Sequence, residues 1–285
     1  MAAANVLNND IQVEMNLNFP NNDLISHIQE KLFEQRQRIK LFPDSSDNMA
    51  GQSAVLLPLG PRCKGYDNPN EPCVILNKRS ENVRQSGDLC CPGGGVSPKM
   101  DKTLAKLLSL PYSPLTRWMF WTKCRKDHPN SSKKLSILCA TSLRESFEEM
   151  RLNPFRVRFM GALPPQSLVL RNRFIFPMVG WVSRQKNFVP NREVDKIVFI
   201  PMQDLLDPAN YGVFKLIRPE ASDPALADLA SYYPCFRHET PGETEILWGA
   251  TYRIVMDFME IIFGFVPPAA ESLPEFEWHL SQNYF

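Results

Sequence analysis

Apolar residues first recur at helical spacing at Leu24, Ile28, Leu32 and Phe33, which predicts a helix from an Asp23 cap to about Lys40. The short unbroken runs Ala54-Val55-Leu56-Leu57 and Cys73-Val74-Ile75-Leu76 read as buried strands joined by a Pro/Gly-rich loop. Residues 80 to 98 read as a loop carrying Pro92 and the glycines after it, and 137 to 150 as a helix. Further strands are expected at 156–162, 174–183, 196–200 and 231–237, with a helical turn over 201–206 and a long helix over 246–264. Strands interleaved with three helices predict an α/β (α+β) sandwich around a mixed sheet, with one helix presenting its polar face to a cleft.

The helix over 137–150 has the sharpest polarity. At about 100° per residue, Glu145, Glu148 and Glu149 share one face, while Leu143, Phe147 and Met150 share the other. Clustered carboxylate oxygens are the hard ligands that Mg²⁺ or Mn²⁺ prefers, and such ions commonly also touch substrate phosphates. A solvated acidic face is the plain alternative.

Charge and cysteine usage narrow the class. The 285 residues carry a formal net charge of +1, which argues against a generally basic nucleic-acid binder. The distribution is uneven: residues 99–138 hold nine Lys or Arg against two Asp, and residues 219–285 hold two Arg against eleven Asp or Glu. Seven cysteines without a Cys-x-x-Cys pair, and with Cys90 and Cys91 adjacent, suit a reduced cytoplasmic protein better than a zinc site or a disulfide framework. No signal-like segment opens the chain and no apolar run reaches spanning length, so no membrane is expected; a homodimer is compatible with the sequence.

The order Gly94, then Arg144-Glu145-x-x-Glu148-Glu149, resembles the Nudix box, G-x5-E-x7-R-E-U-x-E-E-x-G-U. The flanking stretches 54–59, 75–80, 83–84, 92–94, 161–165, 177–180, 191–194, 201–208 and 248–251 are similar, in order, to coenzyme A diphosphatases of that superfamily. The resemblance covers about residues 22–265 as one domain, with a flexible N-terminus at 1–21 and a C-terminal tail at 266–285. It implies a Nudix-type α/β/α sandwich and a metal-dependent diphosphatase acting on coenzyme A or acyl-CoA. ADP-ribose, NADH or another nucleoside diphosphate derivative is the alternative substrate, and a catalytically disabled nucleotide-binding module the alternative class. Glu145, Glu148 and Glu149 would hold Mg²⁺ or Mn²⁺, Arg144 would orient a glutamate, and Glu193 would serve as general base. Lys78, Arg79 and Arg84 are candidate anion contacts, and the Gly93-Gly94 backbone is a candidate surface for close substrate approach.

Departures from the box are expected to matter. Its Gly-to-Arg spacing of 14 becomes 144 − 94 = 50 here, which implies 50 − 14 = 36 inserted residues within about 99–138. Counted from Gly94, the first box glutamate falls on Met100; Ser146 replaces the aliphatic position and Arg151 the late glycine. With its net charge of 9 − 2 = +7, the insertion is expected to act as a basic lid whose removal from 102 to 135 leaves the core folded. Trp118, Phe120 and Trp121 are expected to pack the insertion against the domain rather than line a substrate channel.

Overall fold

A computed structural model describes residues 21–38, 42, 51–61, 70–168, 173–183, 185, 187–217, 232–240 and 242–279. Of the segment 1–21 expected to be flexible, residues 1–20 lie outside these residues and Asn21 opens a helix.

The main sheet is built around β1 (Ser53–Pro61). It runs parallel to β7 (Arg173–Val182) along one edge, and along the other it shares only residues 59–61 with β2 (Pro72–Arg79), antiparallel. Beyond those residues β1 and β2 part. The wedge between them is filled by β3 (Leu89–Cys90), paired with Asn77 and Lys78 of β2, and by β4 (Gly93–Gly95), paired with residues 53–55 of β1. β5 (Val157–Ala162) and β6 (Gln166–Leu168) extend the sheet beyond β7, and β8 (Val194–Pro201) extends it beyond β2. β1 and β7 are parallel and the other strand pairs of this sheet antiparallel, so the sheet is mixed, as expected.

Strand alternation divides the core into two layers. Ala54, Leu56, Cys73, Ile75, Phe176, Met178 and Phe199 face one side. There they meet Leu135, Leu138, Cys139 and Leu143 of α4 (Pro129–Met150). Leu57, Leu59, Val74, Leu76, Val179 and Ile200 face the other side. They meet Leu24, Ile28 and Leu32 of α1 (Asn21–Arg38), Met202 and Leu205 of the short α5 (Met202–Leu205), and Ile254, Val255 and Phe258 of α6 (Gly249–Phe263). A register shift in β5 between Phe159 and Gly161 resets the alternation: Met160 and Gly161 both face the α1 side, and Ala162 returns to the α4 side. The architecture is the expected α/β/α sandwich.

A second sheet of β9 (Tyr211–Ile217), β10 (Tyr232–Thr240), β11 (Glu243–Trp248) and β12 (Glu275–His279) lies on the α1/α6 side, in order β11-β10-β9-β12. Its buried Tyr211, Phe236 and Leu247 join the same core as Leu57 and Val74. β12, within the stretch read as a tail, pairs in parallel with β9.

Three expectations are corrected here. The helix expected over 246–264 begins only at Gly249: Ile246, Leu247 and Trp248 pair with Arg237, Phe236 and Cys235 of β10, and Gly249 turns at φ 66° between strand and helix. The apolar run 246–248 fits either period, and the neighbouring strand decides it. The helix expected from Ile137 starts at Pro129 in the first turn, a position where proline's missing N–H costs nothing.

The third correction concerns the insertion. It folds as α2 (Pro98–Leu107), a series of turns, α3 (Trp121–Asp127) and the opening of α4. Ala105, Leu108, Leu115, Trp118, Trp121 and Cys124 are buried in the same core as Ile75 and Leu138. Trp118 meets Phe159 of β5 edge-to-face at 5.2 Å, and Phe120 stacks on Phe33 of α1 at 4.0 Å. The aromatics pack as expected. The detachable lid does not hold, because removing 102–135 would strip one wall from a shared core.

Candidate active site

The cleft forms where β1 and β2 part. The backbone N–H of Leu56 donates to Pro92 O at 2.8 Å and seats the 89–95 segment in the wedge, with the C-terminal half of α4 above it. Gly93 is required by contact with backbone, and Gly94 by room for the Glu145 carboxylate where it stands. A Cβ on Gly93 would lie 2.5 Å from Ala54 O and Val55 Cα, and one on Gly94 would lie 2.5 Å from the Glu145 carboxylate carbon. So the turn is drawn against both the sheet and the acidic helix.

Glu149 bridges the wedge. Its Oε2 accepts from Asn77 Nδ2 of β2 at 2.7 Å, and its Oε1 accepts from the Gly93 N–H of β4 at 3.3 Å. Burial is the main cause that pushes its pKa up to about 7. The Gly93 and Asn77 hydrogen bonds oppose this, and the charges of Glu145 and Glu193 add to it. The Glu145 pKa is also raised by burial, against the pull of Arg144. Glu148, one turn along on the same face, is about half exposed.

Arg144 ties this face together. Its Nε donates to Asp101 Oδ1 at 2.8 Å, its Nη1 lies 2.8 Å from Glu145 Oε1 and 3.4 Å from Glu148 Oε2, and its Nη2 donates to Gly95 O at 3.1 Å. Burial would favour the neutral guanidine, but Asp101 and Glu145 outweigh it and the pKa is raised. Asp101 is fully buried, and its Oδ2 also accepts from the Ser97 N–H and Thr141 Oγ1, each at 2.7 Å. Its two oxygens take donors from three residues on two segments, Ser97 just before α2 and Thr141 and Arg144 on α4.

Asp101 was missed by counting the box from Gly94. Counted from Gly95, Asp101 occupies the first acidic position, and 144 − 95 − 14 = 35 extra residues separate it from its ordinary spacing to Arg144. α2 and α4 pack together, which brings Asp101 to Arg144. Asn77 was also missed, and a lone asparagine in an apolar strand carries no signal of its partner.

The other two departures from the box are locally satisfied. Ser146 is buried with its hydroxyl donating to Ser142 O at 2.7 Å. Arg151 caps α4 at φ 55°, the conformation a glycine would take without strain, and lies over the Phe147 ring at 5.0 Å.

The remaining candidates divide. Glu193 is exposed at the start of β8, on a loop stitched to the end of α4: Val189 N–H donates to Met150 O at 3.1 Å and Asn191 N–H to Glu149 O at 2.8 Å. Ser80 N–H donates to Glu193 O at 2.9 Å, so Glu193 is brought to the same end of the helix as Glu149. Lys78 projects from the opposite face of β2 and pairs with the buried Glu245 of β11 at 2.9 Å. Arg79 Nε donates to Arg84 O at 2.8 Å, which folds the 80–88 turn, and the Arg84 side chain is exposed. Among the described residues, no three acidic, His or Cys side chains are gathered closely enough to hold an ion as they stand.

No family model matches the chain. Two curated relatives do. The chain is 28% identical over 222 residues to Nudix hydrolase 3 of Caenorhabditis elegans, covering 74% of this chain and 72% of that protein. It is 24% identical over 206 residues to an uncharacterized Nudix hydrolase, NudL, of Pectobacterium atrosepticum, covering 72% and 79%. A crystal structure of a MutT/nudix family protein from Enterococcus faecalis is similar over 86% of this chain and 75% of its own, at 7% identity and a TM-score of 0.40, a likeness too slight to carry an argument. The names of the two relatives support a place for this chain in the Nudix hydrolase superfamily.

Proposed function

We propose that the chain is a hydrolase acting on the diphosphate bond of a nucleoside diphosphate derivative, with coenzyme A or acyl-CoA as substrate. The observation that carries this reading is the three-glutamate face of α4 folded against the Gly93–Gly95 turn, with Arg144 held between Asp101 and Glu145. The donor set suits a hard divalent ion, Mg²⁺ or Mn²⁺: three carboxylates and no soft ligand. Glu149 supports that fit, because a carboxylate destabilised by burial and by like charges gains from a cation.

Glu145, Glu148 and Glu149 would hold the ion. When bound, such an ion neutralises phosphoryl charge and acidifies a bound water. The residues of the chain do the rest. Asp101 fixes Arg144, and Arg144 orients Glu145 and Glu148. Asn77 and Gly93 fix the Glu149 carboxylate, and the glycine backbone leaves room for substrate to approach. Glu193, exposed beside the end of α4, would take the proton of the attacking water. For coenzyme A the products would be 3′,5′-ADP and 4′-phosphopantetheine.

A substrate lacking the 3′-phosphate, such as ADP-ribose or NADH, is the second reading. It is favoured by one observation: Lys78, a candidate phosphate contact, is taken by Glu245. Hydrolysis of coenzyme A, dephospho-coenzyme A, ADP-ribose and NADH with Mg²⁺ or Mn²⁺ separates the two. Preference for coenzyme A over its dephospho form supports the first, equal turnover supports the second, and nucleotide binding without turnover supports a disabled module.

A further inference from the structure

The insertion places apolar side chains where water should exclude them. On α2, Met100 and Leu107 are each 50% exposed and lie on one side of the helix, within about 20° of each other around its axis. The turn after α2 continues this ridge with Leu110 at 54% and Tyr112 at 88% exposure. Tyr112 holds φ 64°, a backbone conformation that aromatic residues seldom adopt.

The turn is firmly built. Thr116 Oγ1 donates to Leu110 O at 3.0 Å, Ser113 N–H donates to Leu110 O at 3.2 Å, and the Ser113 hydroxyl donates to Leu108 O. Arg117 Nη2 donates to Phe155 O at 2.9 Å, which brings a further aromatic, 64% exposed, beside the turn. The Tyr112 ring is thus held outward by a braced loop.

Cations flank the ridge. Lys99 and Lys106 are exposed on the adjoining sector of α2, about 80–120° around the axis from the ridge, while Lys102 is exposed further round, on the side away from Met100; among the described residues none of the three has a carboxylate partner. The one acidic residue of α2, Asp101, is buried and committed to Arg144. Exposures of 50% and above describe a ridge rather than a groove, and none of these residues lines the cavity of about 320 Å³ between α1 and α6.

From this we infer that the α2 ridge is a docking surface for an anionic phospholipid membrane. An exposed apolar strip beside unpaired lysines, with an aromatic at its tip, matches a headgroup layer: the apolar side chains enter the acyl boundary and the ammonium groups meet lipid phosphates and carboxylates. A second copy of this chain docking through the same ridge would set lysines against lysines, and a shaped protein partner would be met by a groove. No described helix is long and apolar enough to cross a membrane, so the contact is peripheral. The expectation of no membrane contact considered spanning segments alone. The inference is independent of which diphosphate the enzyme cleaves.

Sedimentation of the full chain with vesicles tests this, comparing phosphatidylcholine alone with phosphatidylcholine containing phosphatidylserine. The parent should bind the second and not the first, and salt should weaken binding. Lys99→Ser with Lys106→Ser should lower the partition coefficient about 25-fold. Leu110→Ser with Tyr112→Ser should lower it with the charges intact, and unchanged thermal unfolding would show that both variants are folded. No binding by the parent overturns the inference. So does binding indifferent to the Leu110/Tyr112 change, which would mark simple polyanion attraction. A parent dimer in sedimentation equilibrium that these substitutions dissociate would assign the ridge to a second copy instead.

Discussion

Two buried acids, one on each face of the main sheet, are treated differently by the fold. Asp101, on the α4 side, uses both oxygens: Arg144, Ser97 and Thr141 all donate to it. Glu245, on the second-sheet side, accepts from Lys78 at 2.9 Å and Lys196 at 2.8 Å through Oε1, and its buried Oε2 has no hydrogen-bond partner among the described residues. A buried charge is tolerated when its lone pairs are satisfied, and it is costly otherwise. The first acid belongs to a closed network that aims an arginine at the proposed metal ligands. The second balances two lysines at the seam between sheets and is incompletely satisfied.

The largest test of this contrast removes the support of Asp101. Replacing 102–135 by a short Gly/Ser linker deletes most of α2, all of α3 and the opening of α4, including buried Leu108, Leu115, Trp118 and Trp121. We expect no cooperative unfolding transition from that protein by calorimetry. A folded, cooperative product would show that the insertion is dispensable.

Asp101→Ala comes next. Stranding Arg144 in a part-buried site should cost about 3–5 kcal/mol in urea unfolding, and activity should fall with it. Glu245→Gln should cost much less, about 1 kcal/mol or under, because Lys78 and Lys196 retain 22% and 31% side-chain exposure and can turn to water. Equal losses would erase the distinction between the two acids.

Glu149 gives a pH-dependent test. Its folded pKa of about 7 lies above the ordinary carboxylate value, so its proton is bound more tightly in the folded state. That contribution to stability is complete below the unfolded pKa and is lost as pH rises through about 7. Metal-free Glu149→Gln should therefore match the parent at about pH 4 and exceed it by about 1–2 kcal/mol at about pH 8, discounted for partial exposure. In the parent, affinity for Mn²⁺ should increase with pH up to about 7, since the ion displaces that proton. An E149Q variant destabilised at both pH values would place the carboxylate among groups the fold needs ionised.

The smallest effect is expected at Arg151. Glycine there would relieve the left-handed backbone while losing the contact over Phe147, for a net gain of at most about 1 kcal/mol in thermal unfolding. A loss above that size would mean the cation–ring contact outweighs the strain.

Sequence legibility followed the same divide between local and distant causes. Strand alternation and the polarity of 144–150 are local, so both layers of the sandwich and the acidic face could be read directly. The partners of that face could not. Asn77 meets Glu149 across 72 positions and Asp101 meets Arg144 across 43, and no periodicity carries such pairings. Lys78 shows the converse. Its residue type suits a phosphate contact, but strand parity turns it to the face away from Asn77, where Glu245 holds it. The 99–138 segment misled through its charge: its lysines are on the surface, and Leu108, Leu115, Trp118 and Trp121 are structural.

The central claim is that the glutamate face of α4 binds a divalent ion to cleave a diphosphate. Mn²⁺ titration followed by electron paramagnetic resonance, run beside coenzyme A hydrolysis on the parent, Glu148→Gln and Glu149→Gln, tests it most directly. The account predicts metal-dependent release of 3′,5′-ADP by the parent. In both variants it predicts weakened ion binding and turnover lower by orders of magnitude, with the fold intact. Ion affinity and turnover unchanged in both variants would contradict it.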